Sequence, residues 1–475
     1  MNIHLIALFH AQDLKKYGFD PILDPLIHDI KVLETDGIEL PISTSRVYGT
    51  ICQIVGDNLG MHSILGFTES FSGHYFCRLC LTEKADAQFI YNEDDVRVIL
   101  RDRTTYEQHC SELETDPQLK STHGLKRHST LNSLQYFHVC HNYSLDVMHD
   151  LLEGVAQFEM KLLFGYLSEK FVTQCELLSR IYSYDYGYLE RKNRPTKVNL
   201  EHSGNSIGLN SIQALCLIKN IPLLFGDVVP LGDKHWHLLL LLLQILDLVL
   251  SPSISEGMTV LLKYLIIEHH ELFKELYPHK NLLPKHHFMI HYPACIRKIG
   301  PLVHMWCMRF EAKHKVFKNT LKNFKNITKS LAKRHQMSIG YLWETTPLTQ
   351  IECGPMKTVC WDDIVDGKKF AEVLQNSTET VMHSMNWVKI DGTEYRQHLI
   401  VCNKKILFIN STVYFVVDKL FTEHFSEHHH AFKVQRNYGL SELIKANALR
   451  FYRPFDLQCP YGSDGEYIVP SFLLV

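Results

Sequence analysis

From Leu145 to about Ile290 the chain reads almost wholly as helix, and this long block limits the possible folds more than any other feature. The stretches DLLEGVAQFEMKLLFGYLSEKF, HWHLLLLLLQILDLVL and MTVLLKYLIIEHHELFKELY carry apolar residues at helical spacing, with Pro252 and Pro278 as breakers. The apolar run at 238–250 is thirteen residues long and is interrupted by Gln244 and Asp247. A membrane span needs roughly 20 apolar residues, so a buried core helix is expected here. A loop at 191–208 divides the block, and its RKNRPTK suits a solvated loop or a nuclear address.

The flanks have a different texture. NIHLIALF, residues 2–9, has the length and β-branched content of a buried strand, and RVYGTICQIVGD reads as a second strand ending on Asp57. Between them PILDPLIHDIKVLE is helical, and LGMHSILGF after Asp57 predicts a short helix, so the opening is expected to be α/β. Residues 84–135 are polar and poorly periodic, a long loop with small helices. A further helix is expected from about Cys307 to His335. Its stretch from Arg309 to Arg334 carries nine Lys or Arg and one acid, Glu311, with Val316, Leu321 and Phe324 on one side. Short strand-like runs with turn signals then suggest a small barrel-like β domain over 385–475.

A net charge of −3 on 475 residues gives no global attraction to nucleic acid, so any basic surface must be local. The start, MNIHLIALFHAQDLKK, has no basic flank and too short an apolar run for a signal peptide. The expectation is an intracellular, soluble protein whose thirteen cysteines stay reduced for metal binding or burial.

Four sets of residues could carry chemistry. Asp57 ends a strand and opens a helix, which suits either a ligand at a sheet edge or a helix cap. Cys77 and Cys80 have the spacing of half a zinc site, though a pair of buried thiols or a redox pair has the same spacing. The nearest ligands to complete a Cys₂His₂ set lie in YFHVCHNYSLDVMHD, which offers His138, Cys140, His141 and His149. Glu311 is either a metal-binding carboxylate or a surface acid paired with Lys315 one turn on. Arg309, Lys313, Lys318, Lys322, Lys325 and Lys329 could line up phosphates along one side of a helix, or form a solvated face. PKHHFMIHYP and SEHHHAF show no completed ligand set and read as polar surface or core histidines.

Taken in order, GDNLGMHSILGFTESFSGHYFCRLC, LNSLQYFHV, LDVMHDLLEGV, HYPACIRKIGPL and MRFEAKHKVFK resemble the transposases of CACTA-type and related cut-and-paste DNA transposons, and the proteins derived from them. The resemblance covers about residues 1–345. It implies a ribonuclease-H-like core with a large helical insertion before its last helix. It also implies three acids, two Asp and one Glu, holding two divalent ions, magnesium or manganese, one activating the attacking oxygen and one steadying the leaving oxygen. By motif Asp57 matches the second acid and Glu311 the last. Cys77, Cys80, His138, Asp146 and His149 match Cys-x-x-Cys and Asp-x-x-His elements that favour a zinc site. The first acid has no counterpart: the chain starts at Met1 inside a later strand, and Asp13, Asp20 and Asp36 lie in helix or turn contexts.

The expected fold class is therefore α/β plus α. An incomplete ribonuclease-H-like core over 1–75 precedes a Cys/His junction over 76–150, a helical insertion over 151–300 and a final basic helix over 301–345. A small β domain over 360–475 closes the chain. The expected function is a catalytically inactive, transposase-derived nuclear protein with non-specific DNA affinity and no membrane association. One alternative is an active metal-dependent nuclease truncated at its N-terminus. The other is a protein-interaction module working through the helical block or the β domain.

Overall fold

The helical block forms where the periodicity and caps place it. The Ser211–Phe225 helix opens on a capping box in which Asn210 and Gln213 satisfy each other's backbone N–H groups. The Lys234–Val249 helix opens on Asp233, whose carboxylate accepts from the Trp236 N–H at 2.9 Å, and it ends just before Pro252. The Glu256–Leu276 helix ends before Pro278. These helices and Ala156–Lys170 share the largest core, in which Phe164, Leu217, Leu242, Leu246 and Ile266 are buried. The apolar run at 238–250 lies inside that core, and no helix among the described residues is long and apolar enough to cross a membrane.

The structure, a computed structural model, describes residues 3–41, 44–71, 73–201, 204–320, 326–345, 351–364, 366–374, 382–390, 393–397, 403–448 and 455–472. The fold is mixed α and β, with helices dominating up to Thr345 and antiparallel sheets after it.

The N-terminal flank departs from expectation. Residues 3–10 form no strand, and over 46–57 there are only two isolated bridges, Ile38 with Val47 and Ile54 with Tyr143. Strand-like composition needs a backbone partner to become a strand. Among the described residues none lies alongside residues 3–10, and Ile6, Leu8 and Phe9 stay exposed. The expected pairing of 2–9 with 46–57 is thus not formed among the described residues. Helices Asp20–Thr35 and Asn58–Leu65 instead pack with Tyr106, Leu131, Phe137 and Val139 in a second core.

The long basic helix is two helices, Met308–Thr320 and Ile327–Thr345. Asn326 between them has φ +51°, the left-handed region that a right-handed helix cannot pass through. The second helix reaches the N-terminal stretch, where buried His335 accepts from the Leu5 N–H at 2.9 Å.

Among the described residues the C-terminal region has nine strands: β1 Ile351–Cys353, β2 Met356–Val359, β3 Met382–Met385, β4 Trp387–Ile390, β5 Thr393–Arg396, β6 Asn403–Ile409, β7 Thr412–Ser426, β8 Ala431–Lys445 and β9 Glu466–Ile468. They form two antiparallel sheets, ordered β1-β4-β5 and β2-β3-β6-β7-β8-β9, and among the described residues β2 and β9 are outer strands, with no closed barrel. The tip of the β7–β8 hairpin is the SEHHHAF segment, and it is fastened to the helical block. His428 donates from Nε2 to the Gly226 carbonyl at 2.9 Å, and its own carbonyl accepts from Trp236 Nε1 at 3.0 Å. A Cβ on Gly226 would lie 2.9 Å from the His429 ring, so this close approach requires glycine. Asp247, which interrupts the leucine run, is buried between Lys219 and His430, with His430 Nε2 at 2.7 Å. A buried carboxylate needs such partners.

Candidate metal centre

The segment 76–80 is drawn into the main core by Phe76 and Leu79. Backbone bonds to a neighbouring run fix its course, Leu81 N–H to the Ile99 carbonyl and Arg101 N–H to the Leu79 carbonyl, both 2.8 Å. Facing it, the Pro284–Met289 helix presents His287, and His291 stands at the start of the Tyr292–Ile299 helix. Cys77, Cys80, His287 and His291 are all buried, and one donor atom from each lies within 4.8 Å of all the others. Cys80 Sγ is 3.2 Å from His287 Nε2, and Cys77 Sγ is 3.7 Å from His291 Nε2.

Electrostatics suit the group to a cation. Burial would push the Cys77 thiol up. The hydrogen bond from Cys80 and the charge and hydrogen bonds of His291 and His287 outweigh it and hold Cys77 well below the usual thiol range. Burial and then the adjacent Cys77 push Cys80 well up. Burial acts to lower His291, but Cys77 and Glu93 raise it to about 9. Glu93 accepts from His291 Nδ1 at 2.7 Å, which fixes the ring and turns Nε2 toward the sulfurs. The Leu79 N–H points at Cys77 Sγ at 3.3 Å. Two sulfurs and two imidazole nitrogens in a closed, dry pocket are a donor set that could hold a metal ion.

The expected partners of the cysteines are corrected here. His138 lies elsewhere with both ring nitrogens engaged: Nε2 is 3.2 Å from Glu107 Oε1, and Nδ1 accepts from the Cys140 N–H at 3.2 Å. Cys140 is buried in the second core and His141 is exposed. His149 belongs to a separate acidic cluster.

That cluster is built on a π-helix, Met148–Val155, a rare geometry that concentrates at functional sites. Lys285 donates to the carbonyls of His149 (2.7 Å) and Glu153 (3.2 Å) within it. A Cβ on Gly154 would sit 2.2 Å from Lys285 Cδ, so glycine admits the lysine. Buried Asp146 grips His149 Nδ1 and accepts from the Cys307 N–H at 2.9 Å. His149 Nε2 then faces Glu311 at 3.6 Å and Glu153 at 3.8 Å. Burial acts to lower His149, but Asp146, Glu153 and Asp57 outweigh it and raise it above the ordinary histidine value. Burial pushes the Cys307 thiol up, with Asp146, Asp57 and Glu311 adding to it.

Glu311 therefore faces His149 directly, while Asp57 adds only its charge to the cluster. Asp57 also caps the Asn58–Leu65 helix, accepting from the Gly60 N–H at 2.6 Å, so its helix-cap reading holds alongside its place in the cluster. Glu311 is exposed and turned to His149. Of the basic residues, Arg309, Lys318 and Lys329 are exposed and Lys313 is half-buried; Lys322 and Lys325 lie outside the described residues.

Compared with models of known protein families, the chain matches none, and no curated protein matches it significantly. The residues missed from sequence are His287 and His291, both within PKHHFMIHYP. Their His-x-x-x-His spacing is the second half of a Cys₂His₂ pattern. It was a usable signal, hidden by the great separation from Cys77 and Cys80.

Proposed function

We propose that the chain is a transposase-derived protein with a structural zinc ion and a weakened divalent-cation site, acting by binding nucleic acid rather than by cutting it. Zinc is the ion for four closed N/S donors, and Cys77, Cys80, His287 and His291 would hold it with no position open for substrate. Its part is to staple the junction around 76–100 to the helical block.

The observation that supports the wider reading is Glu311 facing His149 at 3.6 Å across a π-helix, with the charge of Asp57 adding to that histidine, in the order the transposase motifs imply. In two-metal cleavage the ions supply the activated attacking oxygen and the steadied leaving oxygen. Such a site needs a further free carboxylate. The other acids at hand are already engaged, Asp146 by His149 and the Cys307 N–H and Glu153 by the Ser211 hydroxyl. The ribonuclease-H-like relationship rests on motif order alone. Exposed Arg309, Lys318 and Lys329 support weak, sequence-indifferent contact with phosphates, and a nuclear location is part of this proposal.

Manganese titration followed by electron paramagnetic resonance tests it. Binding that weakens in Glu311→Ala and Asp57→Asn, with no magnesium- or manganese-dependent strand cleavage, is the expected result. Manganese affinity unchanged in both variants, or cleavage abolished by Asp57→Asn, would contradict it.

A further inference from the structure

Four buried residues connect the two sites, and each is a chain neighbour of a site residue. Arg78 sits inside the Cys77–Cys80 turn, and Asn58 follows Asp57. Asp150 follows His149, and Tyr292 follows His291. Arg78 Nη1 donates to Asn58 Oδ1 at 2.8 Å, and Asn58 Nδ2 donates to Asp150 Oδ1 at 2.6 Å. Tyr292 donates its hydroxyl to Asp150 Oδ2 at 3.2 Å, and Arg78 Nη2 donates to the Ser144 carbonyl at 3.2 Å. Arg78, Asp150 and Tyr292 are wholly shielded from solvent.

We propose that this chain of hydrogen bonds makes the Cys/His centre and the acidic cluster one thermodynamic unit, so that an ion at either strengthens binding at the other. The inference rests on the cation reading of both sites given above. A buried polar network is stable when every member is satisfied and costly when one is withdrawn. An ion on Cys77, Cys80 and His291 anchors both ends of the network, Arg78 through the turn and Tyr292 through the helix start. Without it Asp150 can lose two donors at once while remaining buried. The π-helix carrying His149 and the helix start carrying Asp57 then lose their common tie. By linkage the effect is reciprocal: whatever factor zinc adds to the affinity of the acidic cluster, a cation there adds to the affinity for zinc.

The test uses the full chain and manganese as the probe. Manganese affinity is measured with one equivalent of zinc bound and again after zinc removal by a chelator. A loss of roughly fivefold or more is expected, the lower end of typical coupling between sites. Because zinc removal can unfold the chain, two zinc-loaded variants carry the test independently. Arg78→Lys and Tyr292→Phe should keep one zinc per chain yet bind manganese several-fold more weakly. Equal manganese affinity with and without zinc, or wild-type affinity in loaded Arg78→Lys, overturns the coupling and leaves both sites standing. No manganese binding in any form overturns the cation reading of the cluster, and the coupling with it.

Discussion

At the Cys/His centre His291 is held through Nδ1 by Glu93; at the acidic cluster His149 is held through Nδ1 by Asp146. The same device serves two different surroundings. Around His291 the other donors are two sulfurs and a second imidazole, all buried. Around His149 the nearest groups are buried Asp146 and Cys307 and the carboxylates of Glu311 and Glu153, and Glu311 is 58% exposed. A closed set of soft donors holds one ion permanently, whereas an open set of carboxylates exchanges hard ions with solvent. On the proposed reading, one histidine arrangement would serve structure in one place and ligand exchange in the other.

The largest test of that contrast is removal of the ion. Cys80→Ser should lose zinc and cooperative unfolding of the helical block together. Structural zinc contributes roughly 10–16 kcal/mol of apparent free energy in zinc-finger peptides. Glu311→Ala should leave the unfolding curve nearly in place. Equal destabilisation by the two, in thermal denaturation, would erase the distinction.

Acid should act next, through buried His62. Burial and then the Arg78 charge lower His62 to about 4, and its Nδ1–H donates to the Thr68 carbonyl. The unfolded chain takes a proton on this histidine near 6.5, the folded chain only near 4. Stability is therefore full above pH 6.5 and falls as pH drops toward 4. The loss is about 3 kcal/mol for this group. Denaturant midpoints against pH should show the slope, and His62→Asn should flatten it.

How much of this was legible in the sequence depends on the range of the interactions. The helical block was readable because caps and breakers such as Asn210, Asp233 and Pro252 act locally. The short helix after Asp57 was readable for the same reason. The strands expected at 2–9 and 46–57 failed because a strand is decided by its partner, not by its own β-branched residues. The left-handed Asn326 was not legible because a single backbone conformation leaves no mark on the helical period of the sequence. Cys77 and Cys80 stood out by spacing, but the choice between nearby His138 or His149 and distant His287 or His291 is made by tertiary packing. Asp247 looked like a flaw in a leucine run until Lys219 and His430 closed on it from other elements.

Glu93→Gln sharpens the comparison further. A carboxylate holding a ligating histidine is typically worth 10–100-fold in metal affinity. Chelator competition should show zinc held that much more weakly in Glu93→Gln, while the manganese affinity of the zinc-loaded chain changes little. Asp146→Asn should do the reverse. Matching losses of both ions in either variant would show that the two carboxylates do not have separate roles.

The smallest effect concerns the basic surface. Replacing Arg309, Lys318 and Lys329 by Ala should change stability by no more than about 0.5 kcal/mol. It should lower the salt dependence of DNA retention by up to about 0.9 in log–log slope for each phosphate contact removed. An unchanged slope would mark the face as ordinary solvated surface.

The claim underlying all of this is a closed four-donor centre, and zinc-edge X-ray absorption on the purified full chain addresses it directly. The account predicts about one zinc per chain with two sulfurs near ~2.3 Å and two nitrogens near ~2.0 Å, lost in Cys80→Ser and in His287→Ala. A fully folded chain without metal, or zinc still bound with two sulfurs after Cys80→Ser, would contradict it.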